Sequence, residues 1–253
     1  YDHDWLAVLK GTLIPSIRFD EDFISILVGI LGTTISPYLF FWQATMVAED
    51  RKHKRKIVVD KKILDEIKQD VDFGMLFSNV VMFFIILTSG TVLFNGGIHQ
   101  IETVEQAAQA LRPLAGDSAY MLFAVGVLGT GLLAIPVLCG ALSYIVTETF
   151  GWQRGLDKKF HQAKAFYLIT AVSLLLGLMM NYVGISPIKA LIWSAILYGL
   201  TAPVMIAIIL HIANNKTVMG EFTNNRLSNF LGYTALILMS AAGLILIYLQ
   251  IFR

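Results

Sequence analysis

Residues 23–48 read FISILVGILGTTISPYLFFWQATMVA, and this stretch decides the fold. Two apolar arms flank Gly32-Thr33-Thr34-Ile35-Ser36-Pro37-Tyr38. A helix spanning a bilayer needs about 20 apolar residues, and the stretch supplies them. Pro37 has no amide hydrogen and its ring clashes with the preceding turn, so the helix is expected to open just before it. An opened helix in lipid leaves carbonyls without partners. That is tolerated where the break is buried in protein or lines a watery cavity, as in broken-helix solute sites. A plain proline kink is the competing reading of the segment taken alone.

Working outward, five further apolar runs are long enough to cross: 73–95, 120–147, 165–183, 190–212 and 230–252. None of the six contains Asp, Glu, Lys or Arg, and their one histidine is His211. The 253 residues are 56% hydrophobic and 15% charged, with a mean hydropathy of +0.68. The expected fold class is an all-α integral membrane protein of six transmembrane helices, the first one broken. Residues 1–22 are expected as an extracellular loop and 23–253 as one transmembrane domain. A net charge of +1 makes no case for nucleic acid. The single cysteine, Cys139, lies within a span and reads as a packing thiol.

Charge orients the spans, because Lys and Arg favour cytoplasmic loops. Connections after the first, third and fifth spans hold fourteen of the 19 basic residues, eight of them from Arg51 to Lys68. The opposite side holds Lys10, Arg18, Arg112, Lys189 and Arg253. The N-terminal segment and the C-terminus are therefore expected outside the cell (inner) membrane. For an outside start at Tyr1 without a leader, a preceding odd number of spans is expected rather than an unusual insertion. RKHKRK at 51–56 reads as a cytoplasmic membrane anchor, and the sequon Asn215-Lys216-Thr217 falls on the cytoplasmic side.

Two loop helices are expected. Asp60 would cap a short surface helix carrying Ile63, Leu64, Ile67 and Val71. Thr103 and Gln106 form a capping-box pattern, with Pro113 ending that helix. Gly129-Thr130-Gly131-Leu132-Leu133-Ala134 matches a dinucleotide pattern but lies in an apolar span with no preceding strand, so it reads as helix packing. His53, His99 and His161 are scattered among loops. No span holds a nucleophile beside a base or a pair of carboxylates, so an enzyme is not expected and no cofactor is implied.

What remains is a set of uncharged oxygens at mid-depth: Thr33, Thr34 and Ser36 at the break, and Thr201 two residues before Pro203. If the first half-helix ends near Thr33, its carbonyls carry partial negative charge and suit a cation. Hydroxyl and carbonyl oxygens favour hard cations. A divalent ion there still needs a carboxylate, which these spans lack.

GTTISPYLFFWQA at 32–44, GVLGTGLLAIPVLCGALSYIVTETFGW at 126–152 with KAFY at 164–167, and VMGEFTNNRLSNFLGY at 218–233 resemble the C-terminal half of Nramp-related divalent metal transporters. The resemblance covers nearly the whole chain. It implies a LeuT-like inverted-repeat transporter whose sixth to eleventh spans are these, with the N-terminal half of the same transporter as partner. It implies a divalent metal ion as substrate, alternating access, and a metal site lined by the Thr33 carbonyl, Ser36 and Thr201. Thr34, Pro37 and Tyr38 would border the path. Ser36-Pro37-Tyr38-Leu39 stands where the family has Met-Pro-His-Asn, so a thioether and an imidazole are replaced by a hydroxyl and a phenol. That departure implies a divergent branch whose selectivity within the Mn/Fe/Mg class is shifted toward Mn or Mg or is loose, and it counts against proton coupling through Tyr38. The helix at 165–183 also lacks the basic residue of many members. Two other functions fit the same residues: transport of an organic solute such as an amino acid on the same fold, and a membrane scaffold that transports nothing.

Overall fold

The computed structural model describes residues 5–14, 16–53, 61–94, 97, 101 and 103–252. Among them the regular structure is helical, with no strand. The helices are α1 (Trp5–Leu13), α2 (Glu21–Ile35), α3 (Pro37–His53), α4 (Lys61–Thr88), α5 (Val104–Thr149), α6 (Lys164–Tyr182), α7 (Pro187–Asn214), α8 (Lys216–Met219) and α9 (Arg226–Phe252). A π-helical turn, Ser89–Phe94, continues α4.

Local chemistry explains the ends. Asp20 caps α2 by accepting the Phe23 N–H at 2.9 Å, and Glu21 and Asp22 complement the positive end of the helix. Pro37 opens α3 at the first helical position, where its missing N–H and fixed φ do no harm. Thr103 and Gln106 form the expected capping box at the start of α5, with bonds of 3.2 and 3.3 Å.

Two expectations are corrected. The residues 61–71 do not form a separate surface helix, because α4 runs unbroken from Lys61 to Thr88. A change of solvent along a helix alters which side chains suit it, not whether its backbone bonds continue. The capping residue expected there, Asp60, lies outside the described residues. The helix after Thr103 is not ended by Pro113. Its break falls at Gly116, with φ 77° and ψ −178°, a conformation essentially reserved for glycine.

Five helical stretches are long and apolar enough to cross a membrane: Glu21–Glu49, Leu64–Thr91, Tyr120–Thr149, Pro187–Asn214 and Arg226–Phe252. The remaining apolar helix, α6, has 19 residues. At 1.5 Å per residue that is about 28 Å, close to the thickness of the hydrocarbon layer. Large apolar side chains such as Leu128, Leu132 and Leu133 are exposed, which suits a surface solvated by lipid rather than water.

The chain divides into two compact units, residues 1–37 with 191–253, and residues 38–190. In the first, Ile24 and Val28 of α2 pack with Ile196 of α7 and with Ala242 and Leu246 of α9. In the second, Tyr144 of α5, Ala163 and Phe166 form the core, with Trp42 and Met46 of α3 packed against it.

Candidate functional site

The broken helix is interrupted by a single residue. Ser36 has φ 45° and ψ 72°, the left-handed conformation. It is the one non-glycine residue with positive φ among those described. Such a conformation costs about 1–2 kcal/mol for a residue bearing a Cβ. The following proline disfavours a right-handed helical Ser36, and the side chain offsets part of that cost. The Ser36 hydroxyl donates to the Thr33 carbonyl at 2.6 Å, and its N–H donates to the Gly32 carbonyl at 2.9 Å. Ser36 thus caps two of the four terminal carbonyls of α2.

The threonine hydroxyls before it fold back on their own helix. Thr33 and Thr34 both donate to the Ile30 carbonyl, at 2.9 and 2.8 Å. Two hydroxyls on one carbonyl compete with the backbone bond there and loosen the last turn. Thr33 is exposed, Thr34 and Ser36 are half-buried, and Pro37 is buried.

Two glycines set the neighbouring wall. A Cβ added at Gly32 would strike the Gly199 nitrogen and the Ala195 carbonyl oxygen, and one at Gly199 would strike the Val28 carbonyl. The backbones of α2 and α7 therefore touch, as at small-residue crossings in membranes. Gly29 faces Ala195 and Ile196 at the same crossing.

Thr33 and Ser36 are thus brought together within one turn. Thr201 lies two residues beyond Gly199, about 200° round α7 from the crossing. It is exposed, and its hydroxyl donates to the Leu197 and Tyr198 carbonyls at 3.0 and 3.1 Å. Tyr38 is half-buried in the first turn of α3, in the other compact unit. Among the described residues no three His, Cys, Asp or Glu side chains gather as a metal cage. The chain's own donors at the break are uncharged oxygens.

Sequence reasoning missed the Gly32–Gly199 crossing. The signal was present as two glycines inside apolar runs, where glycine otherwise weakens a helix.

The natural resistance-associated macrophage protein-like (Nramp) family matches this chain over residues 1–249. The chain belongs to the Nramp family. Among its relatives is the divalent metal cation transporter MntH of Clostridium acetobutylicum, 27% identical over 248 residues, covering 97% of this chain and 54% of that protein. The MntH of Caldanaerobacter subterraneus subsp. tengcongensis is also 27% identical, over 98% of this chain and 56% of its own length. The MntH of Mycobacterium leprae is 24% identical over 240 residues. This Nramp chain spans about half the length of the curated relatives it matches.

Proposed function

We propose that this chain forms the C-terminal repeat of a secondary-active divalent-metal transporter of the inner membrane, with a LeuT-like fold and six spans. Family membership and the MntH relatives support metal transport as the activity. The observation that carries the site is the left-handed break at Ser36, which places the Ser36 hydroxyl and the Thr33 carbonyl 2.6 Å apart at the end of a half-helix. The negative end of α2 points its carbonyls at that place. On cation binding the Ser36 hydroxyl turns its proton away, and both oxygens face the ion. Thr201, on the face of α7 turned away from the crossing, contributes once that helix rotates toward the break.

The donors are hard oxygens, so the substrates are Mn or Mg rather than softer ions. The compensating carboxylate comes from another part of the transporter, because an uncharged cage cannot hold a divalent ion out of water. Tyr38, a phenol, borders the path. Access alternates by rocking of one helical group against another. The N-terminal segment and the C-terminus lie outside.

Uptake of Mn and Mg by the complete protein in liposomes tests this reading. Ser36→Ala and Thr201→Ala are each expected to raise the half-saturating metal concentration. Unchanged kinetics in both variants would remove the site assignment, and uptake of amino acids in place of either metal would favour the organic-solute reading.

A further inference from the structure

Within its unit, α3 is held by the packing of Trp42 and Met46 and by hydrogen bonding to one phenol. Tyr144 lies in α5 and is 1% exposed. Its hydroxyl donates to Glu49 Oε2 of α3 at 2.7 Å and accepts the Leu156 N–H, from the loop between α5 and α6, at 3.0 Å. A single oxygen thus joins α3, α5 and the loop, across 95 residues of sequence in one direction and 12 in the other. The aromatic packing reinforces it. The Trp42 ring stands edge-on to Tyr144 with centroids 5.5 Å apart, and Phe166 of α6 does so from another side at 4.9 Å. The same indole fills the notch at Gly140, where a Cβ would meet ring carbons of Trp42.

Away from this point α3 and α5 are loosely packed. Beside Tyr144 lies a cavity of about 130 Å³ bordered by Phe41, Thr45 and Ile145. A second, of about 350 Å³, is bordered by Ala44, Ala48, Glu49, Glu148 and Arg154. In that second cavity Arg154 is bonded to Glu148 at 2.8 Å, so the phenol is what grips Glu49. Gaps on both sides concentrate the fixing of α3 into the Trp42 notch and the Tyr144–Glu49 bond. Trp42 sets the depth at which α3 seats. The hydrogen bond, being directional, sets its register.

We infer that Tyr144 is a positioning residue for transport, acting through Glu49 to fix the register of the half-helix that leaves the break. The inference rests on the transport reading above. It makes a separable demand. The oxygens proposed to hold the metal, on Thr33, Ser36 and Thr201, all lie on α2 and α7 in the first unit, whereas Tyr144 and Glu49 lie in the second. Loosening α3 therefore slows the conformational step and leaves metal binding alone.

The test is Mn²⁺ uptake into liposomes by the complete protein, expressed per folded transporter. Tyr144→Phe keeps the ring and its packing and removes only the hydroxyl. Its maximal rate is expected to fall about five-fold, the equivalent of one net hydrogen bond, at an unchanged half-saturating Mn²⁺ concentration. Glu49→Ala is expected to match it, and the double variant to be no slower than either single one. Glu49→Gln, whose amide oxygen still accepts from the phenol, is expected to restore most of the rate. A full maximal rate in Tyr144→Phe, a changed half-saturation at full rate, or independent losses that add in the double variant would each overturn the inference. Absence of Mn²⁺ uptake by the unaltered protein overturns the transport reading itself, whereas equal activity of the unaltered and Tyr144→Phe proteins overturns the latch alone.

Discussion

Ser36 is held in a backbone region that L-residues avoid, and its own side chain helps hold it there. Glycine would remove the steric cost and the hydroxyl together. These are comparable, about 1–2 kcal/mol for the left-handed backbone and about 1 kcal/mol for the bond. Ser36→Gly is therefore expected to melt within a few degrees of the parent while losing metal uptake, which a thermal melt paired with a transport assay reads directly. The glycines beside it behave differently. Gly199→Ala drives a methyl into the Val28 carbonyl and is expected to destabilise by about 1–3 kcal/mol or more. Gly29→Ala places its methyl 3.6 Å from Ala195 Cβ, ordinary contact, and should be tolerated. Thermal melts of the two variants check the contrast. Pro37 announced the break from sequence because its chemistry is local. The Gly32–Gly199 contact was not legible, since it joins residues 167 positions apart and a glycine in an apolar run does not name its partner.

At the scale of elements, α7 and α9 are tied at one end by a reciprocal amide pair. Asn229 Nδ2 donates to Asn214 Oδ1 at 2.6 Å, and Asn214 Nδ2 donates to Asn229 Oδ1 at 2.9 Å, an oxygen that also accepts from Asn224 at 3.1 Å. Asn229→Ala removes a partner from both other amides in a half-buried place and leaves Asn214 Nδ2 with the Leu210 carbonyl. It is expected to cost about 1–3 kcal/mol, seen as a lowered melting temperature. The apolar lengths of these helices were legible because a membrane asks for a fixed number of apolar residues. Their ends were legible wherever a cap was local, as at Thr103. The continuity of α4 was not. Its polar first part and apolar second part look like two elements to any reading based on composition, while the backbone ladder is indifferent to the change. The α5 break was sought at Pro113 because proline is the strongest breaker, yet Gly116 is the residue that can take the required dihedral angles.

For the whole molecule, the unequal distribution of basic residues sets the expected topology. With Cys139 replaced by Ala, a cysteine at Lys216 should react with an impermeant maleimide only after permeabilisation, and one at Lys189 should react in intact cells. The opposite pattern would invert the orientation. The uncharged character of the break was readable from sequence as a list of oxygens, because spans without Asp or Glu are evident at sight. The geometry that arranges them was not, since it depends on one left-handed residue and on which carbonyl its hydroxyl reaches.

Trp42 offers an optical handle. Its indole sits half-buried in the Gly140 notch, edge-on to a phenol, whereas Trp152 and Trp193 stand exposed. Emission from Trp42 is therefore sensitive to whether the ring is seated, and it needs no added label. With the other tryptophans changed to Phe, a shift of that emission on adding Mn²⁺ to the complete protein would report α3 leaving the Gly140 notch, and an unshifted emission would report it staying seated.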